Sequence, residues 1–286
     1  MNGIVIVDKP QDWTSQDVTA RLRRVFNTRR IGHGGTLDPM ATGVLPVFVG
    51  RATRGVEFFE HAEKTYETVL RLGLTTDTED ISGTVLTEQD AFVTAGQLEA
   101  VLENFRGEIL QIPPMYSALK INGQKLVDLA RKGKTVERQP RPITIHELTL
   151  LGMEADGIRL RVRCSKGTYI RTLCKDIGEA MGCGGCMAAL RRVQAGEYTA
   201  GEAVPLQVLL DAPNPEIYLR DVDTMFRNYP EVRLTPNQEK RCRNGNSFSL
   251  NLPDGTYRAY SQSGEFLMLA KAEDGVMSTI KSFFEV

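Results

Sequence analysis

One short segment limits the ways in which this chain can fold. Residues 30–46, RIGHGGTLDPMATGVLP, hold four glycines and two prolines together with His33 and Asp38. Proline removes a backbone donor and glycine weakens regular structure, so a helix or a central strand tolerates few of either. We therefore expect a shaped loop that fixes the backbone around Asp38 and presents its side chain.

Composition sets the class of protein. The 286 residues suffice for one large domain, or for a main domain with a small one. No run of about 18 apolar residues is present, so no transmembrane helix is predicted. The start, MNGIVIVDKPQDW, lacks the basic region of a signal peptide. We therefore expect a cytoplasmic protein that does not bind a membrane.

The cysteines favour reduced thiols. There are five, an odd number, as expected in a reducing compartment. Cys183 and Cys186 have C-x-x-C spacing, but a zinc site needs about four ligands and a second close pair is missing. Packing of small side chains is therefore favoured over a metal or redox role for this pair.

Local charge is more informative than the formal net charge of −1. Residues 120–141 carry seven Lys or Arg against two acids, residues 159–175 carry six against none, and residues 21–30 include five arginines. Charge runs are usually solvated faces. Three separate clusters in a nearly neutral chain instead favour contact with the phosphates of a nucleic acid.

The order of apolar patterns predicts an α+β fold with strands in runs. Thr14, Thr94 and Gly167 each precede a segment with helical spacing, and the first is followed by Asp17 in a capping box. Prolines border the basic residues 111–142, which indicates an insertion that projects from the core. Strands are expected at residues 4–7, 44–49, 65–74, 143–151, 158–164 and 189–198.

A domain boundary is expected near residue 228, followed by a small β-rich unit. Asn-Gly, Asp-Gly and Ser-Gly pairs beyond that point mark tight turns between short strands. The prediction is a main domain at residues 1–228 and a second domain at residues 229–286.

Several chemistries are excluded because their sequence motifs are missing. The chain has no glycine-rich dinucleotide or phosphate loop, no H-E-x-x-H pair and no serine elbow, and its three histidines are dispersed. Carboxylate chemistry at Asp38 remains. An Asp before Pro also begins ordinary turns. The surrounding glycines favour a functional site, because they permit close approach of a ligand.

The segment GHGGTLDPMATGVLP strongly resembles the catalytic loop of the TruB-type tRNA pseudouridine synthases. Four further blocks follow the family's pattern over residues 3–192, with a departure at Gln16, where many relatives carry His. These blocks are GIVIVDKP with the following WTS, KTYE, IPPMYSALK, and the pair CSKGTYIR and LRR. The resemblance implies a central mixed, mainly antiparallel sheet flanked by helices, and a PUA-like C-terminal RNA-binding domain.

The family resemblance also implies a function and a set of site residues. It predicts isomerisation of uridine 55 in the T-loop of tRNA, without cofactor or metal. A monomer is expected because the sequence shows no evident symmetric patch. Asp38 is the expected nucleophile, Arg171 its ionic partner, and Tyr66 the aromatic ring that stacks on the flipped uracil. The substrate contacts are expected at His33, Tyr169, Leu190, Lys9 and Gly32, while residues 111–142 resemble a thumb that grips the T-stem–loop.

Two other functions stay open. A non-catalytic RNA-binding or tRNA-folding protein could use the same scaffold. A metal-dependent phosphoryl-transfer enzyme could use Asp38, Asp77 and Asp80 as ligands, although the last two are expected in an exposed acidic loop.

Overall fold

The computed structural model describes residues 1–285. The helices, in chain order, are α1 Ser15–Val25, α2 Val56–Phe59, α3 Ala95–Leu102, α4 Leu126–Ala130, α5 Ile170–Ala180, α6 Leu206–Asp211 and α7 Pro236–Arg243. Short 3₁₀ helices occupy Gly50–Gly55, Glu103–Phe105, Ala200–Glu202, Pro215–Tyr218 and Val222–Phe226.

The strands follow the predicted runs. In chain order they are β1 Gly3–Lys9, β2 Ile31–His33, β3 Thr42–Val49, β4 Lys64–Leu72, β5 Leu74–Thr76, β6 Val85–Glu88, β7 Gly107–Gln111, β8 Lys120–Ile121, β9 Gln124–Lys125, β10 Arg141–Glu154, β11 Gly157–Cys164, β12 Gly185–Ala195, β13 Tyr198–Thr199, β14 Val204–Pro205, β15 Glu231–Arg233, β16 Phe248–Ser249, β17 Gly255–Tyr260, β18 Phe266–Glu273 and β19 Val276–Ser282.

The chain divides into two compact units. The first comprises residues 1–38, 45–60 and 201–285, and the second comprises residues 39–44 and 61–200. Strand β3 therefore contributes its first three residues to the second unit and its remaining residues to the first.

The first unit contains two sheets. One has the order β14-β1-β3, with β2 antiparallel to β3 and β14 parallel to β1. The other has the order β15-β17-β18-β19-β16 and a core of its own, which includes Leu234, Phe248, Met268 and Met277. The small β-rich C-terminal unit expected from the turn signals is thus present.

In the second unit the order is β12-β4-β11-β10-β7, with every one of these neighbours antiparallel. The start of β3 pairs parallel to β12. The prediction of an α+β fold with a mixed, mainly antiparallel sheet is confirmed. The division at residue 228 stays a prediction: the C-terminal sheet begins close to it, at Glu231, but Phe226 already packs on Phe266 and Phe283.

The capping box predicted at Thr14 is confirmed, and the cap expected at Thr94 is also a capping box. The hydroxyl of Thr14 accepts from the backbone N–H of Asp17, whose carboxylate accepts from the backbone N–H of Thr14. Thr94 and Gln97 repeat this exchange at the start of α3. These reciprocal bonds satisfy backbone donors that the first turn of a helix leaves unpaired.

The expectation of a continuous loop over residues 30–46 is only partly right. Ile31–His33 and Thr42–Val49 are strands, so the loop proper covers residues 34–41. The strand expected at residues 44–49, which contains Pro46, is confirmed as part of β3, but β3 begins two residues earlier and includes Gly43. Pro46 follows the stretch that pairs with β12 and precedes the first residue paired with β2, Val47.

The glycines of this segment serve the protein's own packing. A Cβ atom on Gly34 would lie 2.4 Å from the ring of Phe59, and one on Gly43 would lie 2.2 Å from the carbonyl oxygen of Arg192. Close approach of a ligand, the reason expected from the sequence, is therefore not needed to explain these two positions.

Residues 111–142 form a folded insertion. The β8–β9 hairpin turns at Asn122 and Gly123, both with positive φ, and α4 buries Leu126 and Leu129. Arg138 donates to the carbonyl oxygen of Pro113 at 3.0 Å. Most of the basic side chains are exposed, namely Lys120, Lys125, Arg131, Lys132, Lys134 and Arg141.

We expect Gly43→Ala to lower the free energy of unfolding by at least about 2 kcal/mol. Gly43 has φ +100°, and the added methyl group would collide with the Arg192 backbone, which cannot rotate away. Urea unfolding measures the loss. Gly96→Ala is the matched control, because nothing lies within 4 Å of its added Cβ and alanine favours the helix it sits in. Equal midpoints for the two variants would contradict the prediction.

Candidate active site

Asp38 lies in the loop between β2 and β3, and helix α1 fixes that loop. The buried hydroxyl of Ser15 contacts both backbone groups of Leu37, at 2.9 Å from its nitrogen and 3.2 Å from its oxygen. The backbone N–H of Gly34 donates to the carbonyl oxygen of Pro46 at 2.9 Å. Ser15 thus fixes both the backbone N–H and the carbonyl oxygen of Leu37, the residue before Asp38. Asp38 itself is partly exposed.

Gly32 and His33 sit in β2, a short strand whose register is set by β3. Gly32 pairs with Phe48 and His33 pairs with Val47. The side-chain nitrogen of Gln16 lies 3.4 Å from Nε2 of His33. The departure from the family pattern at Gln16, expected to have little consequence, therefore falls on a direct neighbour of a candidate substrate-binding residue.

Lys9 is buried at the end of β1. Its ammonium donates to the carbonyl oxygens of Pro10 at 2.8 Å and Trp13 at 2.6 Å. These bonds hold the turn that leads into α1, which supports a structural role for Lys9. Contact of Lys9 with RNA stays a prediction.

In the second unit, Tyr66 and Leu190 lie on neighbouring strands. Tyr66 in β4 is opposite Arg192 in β12, and Leu190 is opposite Thr68, two residues further along β4. Residues two apart in a strand share a face, so the ring of Tyr66 and the side chain of Leu190 project from the same side of the sheet. Helix α5 covers that side, since its Cys174 thiol lies 3.9 Å from the hydroxyl of Thr68.

Tyr169 and Arg171 lie at the start of α5. The side-chain amide of Gln111, the last residue of β7, accepts from the backbone N–H of Tyr169 at 2.8 Å and donates to its carbonyl oxygen at 3.1 Å. The buried guanidinium of Arg171 donates to the carbonyl oxygens of Thr78 at 3.1 Å and Tyr116 at 2.8 Å.

Asp80 is buried, which corrects the expectation of an exposed acidic loop. Its carboxylate lies 3.8 Å from Arg171, at 5% exposure of the residue, whereas Asp77 is exposed as expected. The carboxylate also accepts from Thr78 at 2.9 Å and from both the backbone and the hydroxyl of Ser82, at 3.0 and 2.5 Å. These donors satisfy the oxygens of the buried carboxylate and fix its position beside the Arg171 guanidinium.

Glu79 joins the same loop to α5. Its carboxylate accepts from the hydroxyl of Thr172 at 2.6 Å, and its carbonyl oxygen accepts from the backbone N–H of Met187 at 3.0 Å. Burial raises the pKa of the Glu79 carboxyl, against the lowering effects of the Thr172 hydrogen bond and of the nearby cations Lys175, Arg171 and Arg138. Burial likewise raises the pKa of Asp176 to about 6.

The structure brings the candidate residues together in two groups. Lys9, Gly32, His33 and Asp38 belong to the first unit, and Tyr66, Tyr169, Arg171 and Leu190 to the second. The pairing of Asp38 with Arg171 stays a prediction.

Sequence reasoning missed residues that hold the candidates in place, namely Ser15, Glu79, Asp80 and Gln111. Asp80 carried a signal: it lies four residues beyond β5 in a stretch with Thr, Ser and Gly, where a carboxylate commonly orders its own turn. The others make contacts more than 20 residues away in sequence, which local pattern does not reveal.

Two alternatives lose support from the side-chain environments. Burial raises the pKa of the Cys186 thiol to about 11, which keeps it protonated at neutral pH and agrees with a packing role. Within residues 1–285, no three or more His, Cys, Asp or Glu side chains gather as a metal site would require. In the same range, no helix is both long and apolar enough to cross a membrane.

We expect Asp80→Asn to lower the free energy of unfolding by about 1–3 kcal/mol, because it removes a buried charge beside the Arg171 guanidinium. Thermal unfolding measures the change. Asp77→Asn in the same loop is the control: its exposed side chain keeps an oxygen to accept from the backbone N–H of Thr84. A loss no larger than that of the control would show that the Arg171 contact contributes little.

We expect Glu79→Gln to stabilise the fold at pH 8 and to leave it unchanged near pH 4. A carboxyl whose folded-state pKa is raised contributes stability below its ordinary value of 4.5, and that contribution is lost as the pH rises through the folded-state pKa. Glutamine keeps an acceptor for Thr172 without the buried charge. Melting temperatures from pH 4 to 9 test this. The comparison is made with Asp176→Asn in both proteins, because the Glu79 charge also raises the pKa of Asp176. If the melting temperature of the wild type rose relative to that of the variant as the pH increased, the prediction would be contradicted.

The comparisons with known proteins cover the whole chain. Residues 23–170 match the model of the TruB family pseudouridylate synthase N-terminal domain, and residues 171–222 match that of the tRNA pseudouridylate synthase B C-terminal domain. Curated relatives named tRNA pseudouridine synthase B include one from Clostridium kluyveri, 39% identical over 99% of this chain and 100% of its own length. Another, from Pseudomonas fluorescens, is 43% identical over 96% of this chain and 93% of its own.

Solved structures agree with the fold. A Cbf5-Nop10-Gar1 complex contains a chain with a TM-score of 0.74 and 25% identity, covering 99% of this chain and 85% of that one. An H/ACA RNP bound to a substrate RNA contains another at the same TM-score and 23% identity. From the matched motifs, the family models and the full-length relatives, the chain belongs to the TruB family of pseudouridylate synthases.

Proposed function

We propose that this protein isomerises uridine 55 in the T-loop of tRNA to pseudouridine, with Asp38 as the nucleophile. The observation that carries the proposal is similarity over the full length. Relatives named tRNA pseudouridine synthase B are 39–43% identical to this chain and align with at least 96% of it. The enzyme is thus an isomerase that acts on tRNA.

The reaction needs no oxidant and no group donor. The bond between N1 of uracil and C1′ of the ribose breaks, the base turns, C5 bonds to C1′, the proton on C5 leaves, and N1 takes up a proton. A carboxylate supplies the nucleophile for such a displacement, and Asp38 is held on a loop whose preceding residue cannot move freely. Attack on C1′, addition to the base and removal of a sugar proton are three possible first steps, and each requires an ionised carboxylate at a fixed position.

Arg171 is the proposed ionic partner of Asp38. Arg171 is itself held by the carbonyl oxygens of Thr78 and Tyr116 and lies beside the carboxylate of Asp80, so its guanidinium is already oriented before RNA binds.

The remaining residues bind the extruded nucleotide. The target base is inaccessible within a folded T-loop and must be flipped out, at a cost of a few kcal/mol. The Tyr66 ring stacks on it and its hydroxyl assists removal of the C5 proton, while Tyr169 and Leu190 line the pocket. His33 occupies the space that the base leaves, with Gly32 giving the backbone close access and Lys9 supporting the turn.

Exposed cations of the insertion at residues 111–142 bind the T-stem–loop. Contacts of lysine and arginine with phosphates give affinity that falls with salt and carries little base specificity. The C-terminal domain contributes a second, smaller contact through Lys240 and Arg241, because Arg243 is already paired with Glu239 and Glu265. We place the protein in the cytoplasm with its tRNA substrate, acting as a monomer.

We expect the wild type to form pseudouridine at position 55 of an unmodified tRNA transcript, and Asp38→Asn to lose at least about 10³-fold in rate, since the amide is a poor nucleophile. Mapping pseudouridine at nucleotide resolution measures both. Asp77→Asn should keep full activity, and so should the wild type in chelator.

The same experiment separates the two alternative functions. If the protein only folds tRNA, the wild type forms no product and Asp38→Asn binds tRNA with the affinity of the wild type. If the protein is a metal-dependent phosphoryl-transfer enzyme, its activity is lost in chelator. Product at another uridine would leave the chemistry intact and overturn the assignment of the substrate position.

A further inference from the structure

A groove runs along one side of helix α1, in the first unit. It has a volume of about 470 Å³ and is lined by Asp12, Trp13, Asp17, Ala20, Arg21 and Arg24. None of these residues belongs to the candidate active site. The lining combines an aromatic ring with two cations, the combination that binds single-stranded nucleic acid.

Trp13 and Arg21 form the wall of the groove. Trp13 is the only tryptophan of the chain and is partly exposed. The guanidinium carbon of Arg21 lies 5.8 Å from the centre of its ring, within the range of a cation–π contact. This contact restrains the Arg21 side chain and orients its N–H groups, which lowers the entropy cost of binding a phosphate oxygen.

The arginines of the groove have no acidic partner in direct contact. Within residues 1–285 neither Arg21 nor Arg24 forms an ion pair. The lining also includes two acids, Asp12 and Asp17. The carboxylate of Asp17 accepts from the backbone N–H and the hydroxyl of Thr14 in the helix cap, at 3.0 and 2.6 Å.

The basic residues 159–175 provide a contrast. Arg159, Arg161 and Arg163 in β11 each lie within 4.0 Å of a carboxylate, with Glu154, Glu67 and Glu63 as the closest partners. In each of these surface pairs the glutamate compensates the charge of its arginine. The arginines of α1 are therefore more available to bind a phosphate than those of β11.

The groove lies on the face of α1 that points away from the Asp38 loop. The buried hydroxyl of Ser15 is bonded to both backbone groups of Leu37 in that loop. At about 100° per residue, Asp17, Arg21 and Arg24 project roughly 180–240° around the helix from Ser15. The groove is therefore a surface separate from the candidate active site.

We propose that this groove is a second RNA-binding site, separate from the candidate active site, in which Trp13 stacks on an unpaired base and Arg21 and Arg24 bind phosphates of the same strand. The proposal rests on the proposed function for the identity of the RNA, and it assigns the arginines of α1 to a specific site rather than to general attraction.

The test uses the fluorescence of Trp13, which as the single tryptophan reports on the groove alone. Titration of the full-length protein with an unmodified T-arm hairpin should quench the emission, with a midpoint equal to the dissociation constant measured by filter binding. An RNA that binds and is isomerised without changing the emission would overturn the proposal.

Arginine variants separate the groove from general electrostatics. Arg21→Ala and Arg24→Ala should each weaken binding of the hairpin by about 5- to 20-fold at low salt and reduce the slope of log K against log salt by about 0.7. Arg23→Ala removes the same charge from the same helix outside the groove, and its affinity should stay within about twofold of the wild type. If all three variants weakened binding of the hairpin equally, the proposal would be overturned.

Kinetics provide the second measurement. Trp13→Ala should raise KM by about 5- to 100-fold, the range for loss of one stacked base, with kcat at saturating RNA unchanged and Trp13→Phe retaining most of the affinity. A fall in kcat without a change in KM would indicate a structural role at the helix start and reject the site. A wild type that binds RNA but forms no pseudouridine would overturn the proposed function and leave the fluorescence result standing.

Discussion

The buried guanidinium of Arg171 is the interaction on which the second unit depends. Taking an arginine out of water is costly unless its donors find acceptors. Here the acceptors come from distant parts of the chain: Thr78 from the loop after β5, and Tyr116 from the insertion, with the carboxylate of Asp80 close by. One side chain thus connects α5, the acidic loop and the insertion, and none of these can shift without leaving a buried charge or carbonyl unsatisfied.

This arrangement explains why the acidic loop is ordered rather than solvated. Thr76 donates to the carbonyl oxygen of Asp80 at 2.7 Å, and Ile81 donates its backbone N–H to Met187 in β12 at 3.0 Å. Glu79 adds a bond to Thr172, the residue after Arg171. The burial of Glu79 is unfavourable for its charge, so the loop keeps its place through the sum of these bonds and not through the ion pair alone.

The sequence predicted elements more reliably than environments. Helix starts at Thr14 and Thr94 follow from local hydrogen bonding within four residues, so their pattern is sufficient. Alternating apolar positions likewise predicted β4, β10 and β11. Burial of Asp80 depends instead on a partner 91 positions later. The strand at Ile31–His33 and the first two residues of β3, Thr42 and Gly43, depend on pairing that overrides the local cost of glycine. Composition reports such cost, but it does not report the pairing energy that offsets it.

The same limit applies to charge. Three basic clusters looked equivalent in sequence, yet the structure gives each a different surrounding. The arginines of β11 face carboxylates across neighbouring strands, the cations of the insertion are mostly exposed on a small hairpin and helix, and those of α1 include one stacked on Trp13. A phosphate competes with an existing carboxylate partner in the first case, whereas Arg21 and Arg24 of α1 and the exposed cations of the insertion form no ion pair within residues 1–285. The available binding surface is therefore set by where acids lie in three dimensions, which is why α1 and the insertion, and not the most basic stretch of sequence, are the surfaces suited to RNA.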